Sequence, residues 1–183
     1  MRMSRSLRII VFLLAAAAVG YAGLRFGRSI KERSNPPVAE APPFPFLPGD
    51  RFPDVALVDS LGASVRTSDL LANHGAVVLF LDPNCEGCTE MSIRWEHALA
   101  DLFDRSRVIG ISREAHDVNR AYRAANHLTF PIYQDAEDAF LDRFGVTSFP
   151  LEVVVGQSGT IRSVSDDSVT PIDVEWIRKA MTD

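Results

Sequence analysis

A chain of 183 residues with 46% hydrophobic and 23% charged side chains has room for one ordinary domain plus short additions, and its balance is that of a folded protein. Charge is divided unevenly: residues 1–33 hold seven basic groups and one acid, Glu32, for +6, whereas the remainder holds twelve and twenty-three, for −11. So acidic a body argues against nucleic acid, whose phosphates need clustered Lys and Arg. Two cysteines three apart are too few for a disulfide framework or a four-ligand structural zinc site.

In chain order, Ile9–Leu24 (IIVFLLAAAAVGYAGL) runs without a charge between flanking arginines. It lies between the span of a membrane helix and the core of a cleavable signal. The basic groups that follow favour a retained anchor, with a cleaved signal as the alternative; a soluble-domain helix is disfavoured because the stretch has no polar face. Basic residues on both sides leave the orientation undecided by charge. Residues 34–48 carry six of the eleven prolines and predict a semi-rigid, extended spacer. The alternative is an arm packed on the domain through Phe44 and Phe46. Residues 49–183 form the predicted domain.

Within it, Ala76–Leu81 is a continuous apolar run, as expected of a strand buried on both faces. A helical stripe follows over Cys88–Phe103 at Cys88, Met91, Trp95, Leu99, Leu102 and Phe103. Arg107–Ile111 predicts a strand, and Ala115–Asn126 a helix with Val118, Ala121, Tyr122 and Ala125 on one face. Phe130–Tyr133 predicts a strand and Ala136–Phe144 a helix stopped at Gly145. Leu151–Val155 and Thr160–Val164 flank the turn Gly156-Gln157-Ser158-Gly159 as a hairpin. Thr170-Pro171-Ile172-Asp173 opens a last helix through Trp176 and Ile177. The outcome is an α/β domain, a mixed sheet flanked by helices. Trp95 and Trp176 are taken as core residues, and His74, His97, His116 and His127 do not converge.

Cys85-Glu86-Gly87-Cys88 lies between the buried strand and the amphipathic helix. There the first sulfur meets unpaired N–H groups and the positive end of the helix dipole. The expectation is a thiolate-favouring Cys85 as nucleophile, with Cys88 a turn later resolving the mixed disulfide. Asp82 and Glu86 place opposing negative charge nearby. A structural pair, or a metal clip through both sulfurs, are the alternatives.

The order of strand, C-x-x-C, helix and late proline resembles the thioredoxin superfamily, and more narrowly its redoxin/TlpA-like, membrane-anchored thiol–disulfide oxidoreductases. The resemblance rests on Gly49-Asp50-Arg51-Phe52-Pro53-Asp54, on Val78-Leu79-Phe80 leading into the cysteines, on Phe130-Pro131-Ile132-Tyr133-Gln134-Asp135, and on Gly145-Val146-Thr147-Ser148-Phe149-Pro150. It implies a thioredoxin-like sheet and a redox-active Cys85–Cys88 disulfide. It also implies a cis Phe149–Pro150 bond facing the pair, with Phe149 and Asn84 contacting the client strand. Asn84 replaces the family's usual tryptophan, and Gly87 its usual proline. Leu79 stands where thioredoxin itself has a buried aspartate. Glu90 is the candidate proton shuttle for Cys88, although its spacing is one residue short of the family pattern; a solvated surface acid is the other reading. The implied partners are exported protein clients held by mixed disulfide, a redox partner protein, and the membrane through the N-terminal helix. The implied location is the inner (cytoplasmic) membrane, single-pass, with the catalytic domain on the periplasmic side. No cofactor and no metal are implied.

Two other functions are weighed. A peroxiredoxin-like thiol peroxidase needs Thr or Ser three residues before the peroxidatic cysteine, where Asp82 stands. A copper chaperone of this fold uses C-x-x-x-C and a distant histidine, a spacing absent here.

Overall fold

The computed structural model describes residues 44–72, 74–98, 107–166 and 171–182. The predicted anchor, the spacer before Phe44, the helix tail at Leu99, Leu102 and Phe103, and the cap at Thr170 lie outside the described residues. Among the described residues no helix is long and apolar enough to cross a membrane.

Seven strands form one mixed sheet in the order β2-β1-β5-β4-β3-β6-β7. They are β1 (Ala56–Val58), β2 (Ser64–Arg66), β3 (Ala76–Phe80), β4 (Val108–Ser112), β5 (Ile132–Gln134), β6 (Leu151–Val155) and β7 (Ile161–Ser165). The helices are α1 (Thr67–Leu70), α2 (Glu86–Ala98), α3 (His116–Ala125) and α4 (Val174–Thr182), with a π-helical segment at Ala139–Arg143. Strand β3 is central, parallel to β4 (Val78 opposite Ile109) and antiparallel to β6 (Val78 opposite Val153). Every residue of β3 is buried, which is why its sequence is an unbroken apolar run. Its side chains alternate between two cores. Val77 and Leu79 join Cys88, Met91 and Trp95 of α2, Tyr122 of α3 and Ile177 of α4. Ala76, Val78 and Phe80 join Phe46, Phe52, Phe140 and Val146 on the other face.

That second face corrects the picture of the N-terminal arm. The compact unit begins at Phe44, before the expected start at Gly49. Phe46 is 4% exposed and its ring lies 5.9 Å from those of Phe52 and Phe80. Gly49 N–H donates to Ile161 O and Ile161 N–H to Asp50 O, so the arm covers the outer edge of β7. The proline spacing speaks for extension, but two phenylalanines with an aromatic pocket available gain more by burial.

Three further differences have physical causes. Strands β1 and β2 and helix α1 were not predicted, because three or four residues are too short to show a period. Helix α3 buries Asn119 and Tyr122, whereas Val118, Ala121 and Ala125 are exposed. Asn119 can be inside because its amide donates to Glu114 O at 2.7 Å. Trp176, expected in the core, is 45% exposed on α4, whose buried face is Ile177, Ala180 and Met181.

Candidate active site

After β3 the chain turns through Asp82-Pro83-Asn84 and enters α2 at Glu86. Cys85 therefore occupies the position that caps the helix. Its carbonyl accepts the Thr89 N–H at 3.2 Å, and its Sγ accepts the Cys88 N–H at 3.2 Å. Sulfur stands where a Ser or Asp oxygen usually satisfies such an orphan donor. An N–H aimed at Sγ also stabilises the negative charge this sulfur carries when it attacks. The turn is held by Cys85 N–H to Asp82 O at 3.0 Å and Asn84 N–H to Asp82 Oδ1 at 2.8 Å.

Both thiols are free. Cys85 is half-buried, and its S–H points to the Phe149 carbonyl at 3.7 Å. Cys88 lies one turn deeper and is wholly buried. Burial pushes its thiol up to about 12; the charges of Cys85 and Asp82 act in the same sense, opposed by the Asp82 N–H, which donates to Cys88 Sγ at 3.4 Å. The result is one presented sulfur and one withheld sulfur.

The buried stripe of α2 continues behind Cys88 as Met91, Ser92 and Trp95. Ser92 Oγ and Tyr122 Oη lie 3.1 Å apart, tying α2 to α3, and Trp95 Nε1 donates to Glu152 Oε2 at 2.8 Å. Burial raises the Tyr122 phenol, partly offset by its bonds to Ser92 and Thr89.

The structure thus brings Cys85, Cys88, Asn84, Phe149 and Pro150 to one place. Phe149–Pro150 is a cis peptide, and Pro150 is buried behind the carbonyl that meets Cys85. Glu90 is not part of this group. Two residues along a helix from Cys88 is roughly 200° around its axis, so Glu90 is exposed on another side of α2 and the surface reading is the one observed. The four histidines are all exposed and scattered. Among the described residues no three His, Cys, Asp or Glu side chains gather into a metal-sized group. The sequence presents Asp82 as a charge near Cys85 and as the residue where a peroxidase needs Thr or Ser; that its backbone touches the resolving sulfur is seen only in the structure. The Asp-Pro-Asn turn just before the first cysteine was the available signal.

A mixed sheet whose central strand delivers a helix-capping dithiol, faced by a cis-proline loop, defines a thioredoxin-like protein. A Bacteroides thetaiotaomicron structure assigned as a disulfide isomerase superposes on this fold with a TM-score of 0.65 at 18% identity, covering 75% of this chain and 92% of that one. The profile of the AhpC/TSA family matches residues 48–164, and the chain belongs to that family. Among relatives, a Mycobacterium tuberculosis protein assigned as a peroxiredoxin (MT2597) is 28% identical over 99 residues, which span 54% of this chain and 63% of that protein. The thiol-disulfide oxidoreductase ResA of Geobacillus thermodenitrificans is 22% identical over 173 residues, 92% of this chain and 91% of that protein.

Proposed function

We propose that this chain is a thiol–disulfide oxidoreductase that exchanges its Cys85–Cys88 dithiol with disulfides of exported protein clients. The observation that carries the reading is the division of labour between the sulfurs: Cys85 half-exposed and holding a helix N–H, Cys88 sealed a turn behind. In the reducing direction, Cys85 sulfur attacks one client sulfur, the client S–S bond breaks, and the released client thiolate takes the proton Cys85 gave up. Cys88 then attacks Cys85, the mixed disulfide breaks, and the second client thiolate takes the Cys88 proton. The client gains two electrons and the pair closes as a disulfide; a separate redox protein resets it. The Phe149 carbonyl beside Cys85 is placed to pair with an extended client backbone. We further assign the N-terminal apolar run as the tether, on the cytoplasmic membrane, with the domain on its outer side. The uncharged run bracketed by arginines supports this.

The test uses the full chain and a protein substrate with a reducible disulfide. Cys85→Ser abolishes turnover, and Cys88→Ser accumulates a mixed disulfide through Cys85 that mass spectrometry identifies. Turnover that survives Cys85→Ser would reject the reading.

Peroxide reduction is the second reading, favoured by the likeness to the mycobacterial protein. It predicts peroxide consumption far above that of a free thiol. The residue three before Cys85 is Asp82, whose Oδ1 accepts the Asn84 N–H, and a carboxylate there only accepts hydrogen bonds where a hydroxyl would also donate one to the peroxide. A copper chaperone remains a third outcome, recognised by tight copper binding that both cysteine variants lose equally.

A further inference from the structure

Cys88 must lose its proton before it can resolve a mixed disulfide, yet it is wholly buried and its thiol is held up to about 12. Fast exchange at neutral pH needs a base at hand. Glu86 and Glu90, each two residues from Cys88 on α2, are both exposed. Glu152 accepts the Trp95 indole. Tyr122, which faces the pair from α3, is raised by burial and keeps its own proton. Asp82 is different. Its backbone N–H lies 3.4 Å from Cys88 Sγ, and it is half-buried, in touch with both the sulfur and solvent. Its carboxylate is also fixed: Oδ1 accepts the Asn84 backbone N–H at 2.8 Å and the Asn84 amide at 3.3 Å. No described residue hydrogen-bonds to Oδ2, so that lone pair is open.

We propose that Asp82 is the proton acceptor of the resolving step, taking the Cys88 proton directly or through one water. The assignment rests on the exchange reading above. In the mixed disulfide, the Cys88 S–H bond gives its proton to the Asp82 carboxylate, and the Asp82 N–H steadies the thiolate left behind. Cys88 sulfur attacks Cys85 sulfur, the Cys85–client bond breaks, and its electron pair leaves on the client sulfur. The neutral Asp82 acid then protonates that thiolate and returns to its starting charge. Asn84 acts as a positioning residue that aims the carboxylate.

The test follows formation and decay of the mixed disulfide by rapid quench, with a fluorescent peptide disulfide as client. Asp82→Asn keeps an oxygen for the Asn84 N–H. The mixed disulfide still forms, and its resolution slows by roughly a hundredfold, the low end for loss of a general base. The residual rate then climbs with hydroxide concentration, and Asp82→Glu restores part of the loss. If Asp82 acted only as a repelling charge, its removal would ease ionisation of Cys88 and resolution would speed up. Equal or faster resolution in Asp82→Asn therefore overturns the proposal while the exchange reading stands. Failure of the native chain and of Cys88→Ser to form any mixed disulfide overturns the exchange reading instead.

Discussion

The two cysteines share a turn of helix and differ in almost everything else. Cys88 keeps its proton because burial penalises the thiolate, so in the reduced protein iodoacetamide at neutral pH labels Cys85 and spares Cys88. Peptide mapping of the labelled protein checks this, and equal labelling would show that Cys88 is solvated. Stability responds to the same sulfur with a definite sign. Unfolded, the thiol ionises around its ordinary value of 9.0; folded, it waits until about 12. Its contribution is therefore complete below pH 9.0 and is lost as pH rises from there towards 12. The urea midpoint of the reduced chain should fall more steeply over that window than that of Cys88→Ala. At this scale the sequence was informative about Cys85 and Cys88, because strand, C-x-x-C and helix occur in an order that forces their placement. Asp82 was not legible as a partner, since its contact runs through a backbone N–H and backbone contacts leave no trace in residue type.

Elements were legible in proportion to their length and apolarity. Strand β3 and the buried stripe of α2 could be read directly, since burial on both faces or along one stripe dictates residue choice. Helix α3 could not be oriented, because its inward face uses an Asn119 whose amide N–H donates to Glu114 O and a Tyr122 that reaches Ser92, and polar burial is invisible to a hydrophobic pattern. The segment 136–144 held helix-forming residues, yet it winds as a π-helical turn after Asp138 at φ 48°. Asp135 starts that turn: its carboxylate, 2% exposed, accepts the Ala139 N–H at 2.9 Å and the Phe140 N–H at 2.8 Å. Asp135→Ala strands both donors and should cost about 1–3 kcal/mol each at most, read as a lower urea midpoint with little change in the unfolding slope. An unchanged midpoint would mean water replaces the carboxylate.

At the scale of the whole molecule, the second face of the sheet is a phenylalanine cluster closed from outside by the arm. Phe52, Phe80 and Phe140 meet there at ring separations from 4.9 to 6.5 Å, and Phe46 lies over them. Removing Phe46 opens this core to solvent, so Phe46→Ala should destabilise the domain by about 3–5 kcal/mol, measured by urea unfolding of the full chain. A loss under about 1 kcal/mol would mean the arm is a passive spacer. Proline content gave no hint of the docking of Phe46, which depends on a pocket that includes Phe140, nearly a hundred positions away.

The two tryptophans report on different places. Trp95 is sealed in the cluster that contains Cys88, whereas Trp176 is 45% exposed on α4. A disulfide quenches a neighbouring indole and an aqueous quencher reaches only an open one, so a single emission spectrum holds two separable signals. The bluer component reads the core behind Cys88 and the redder one reads solvent at the last helix, without any attached dye.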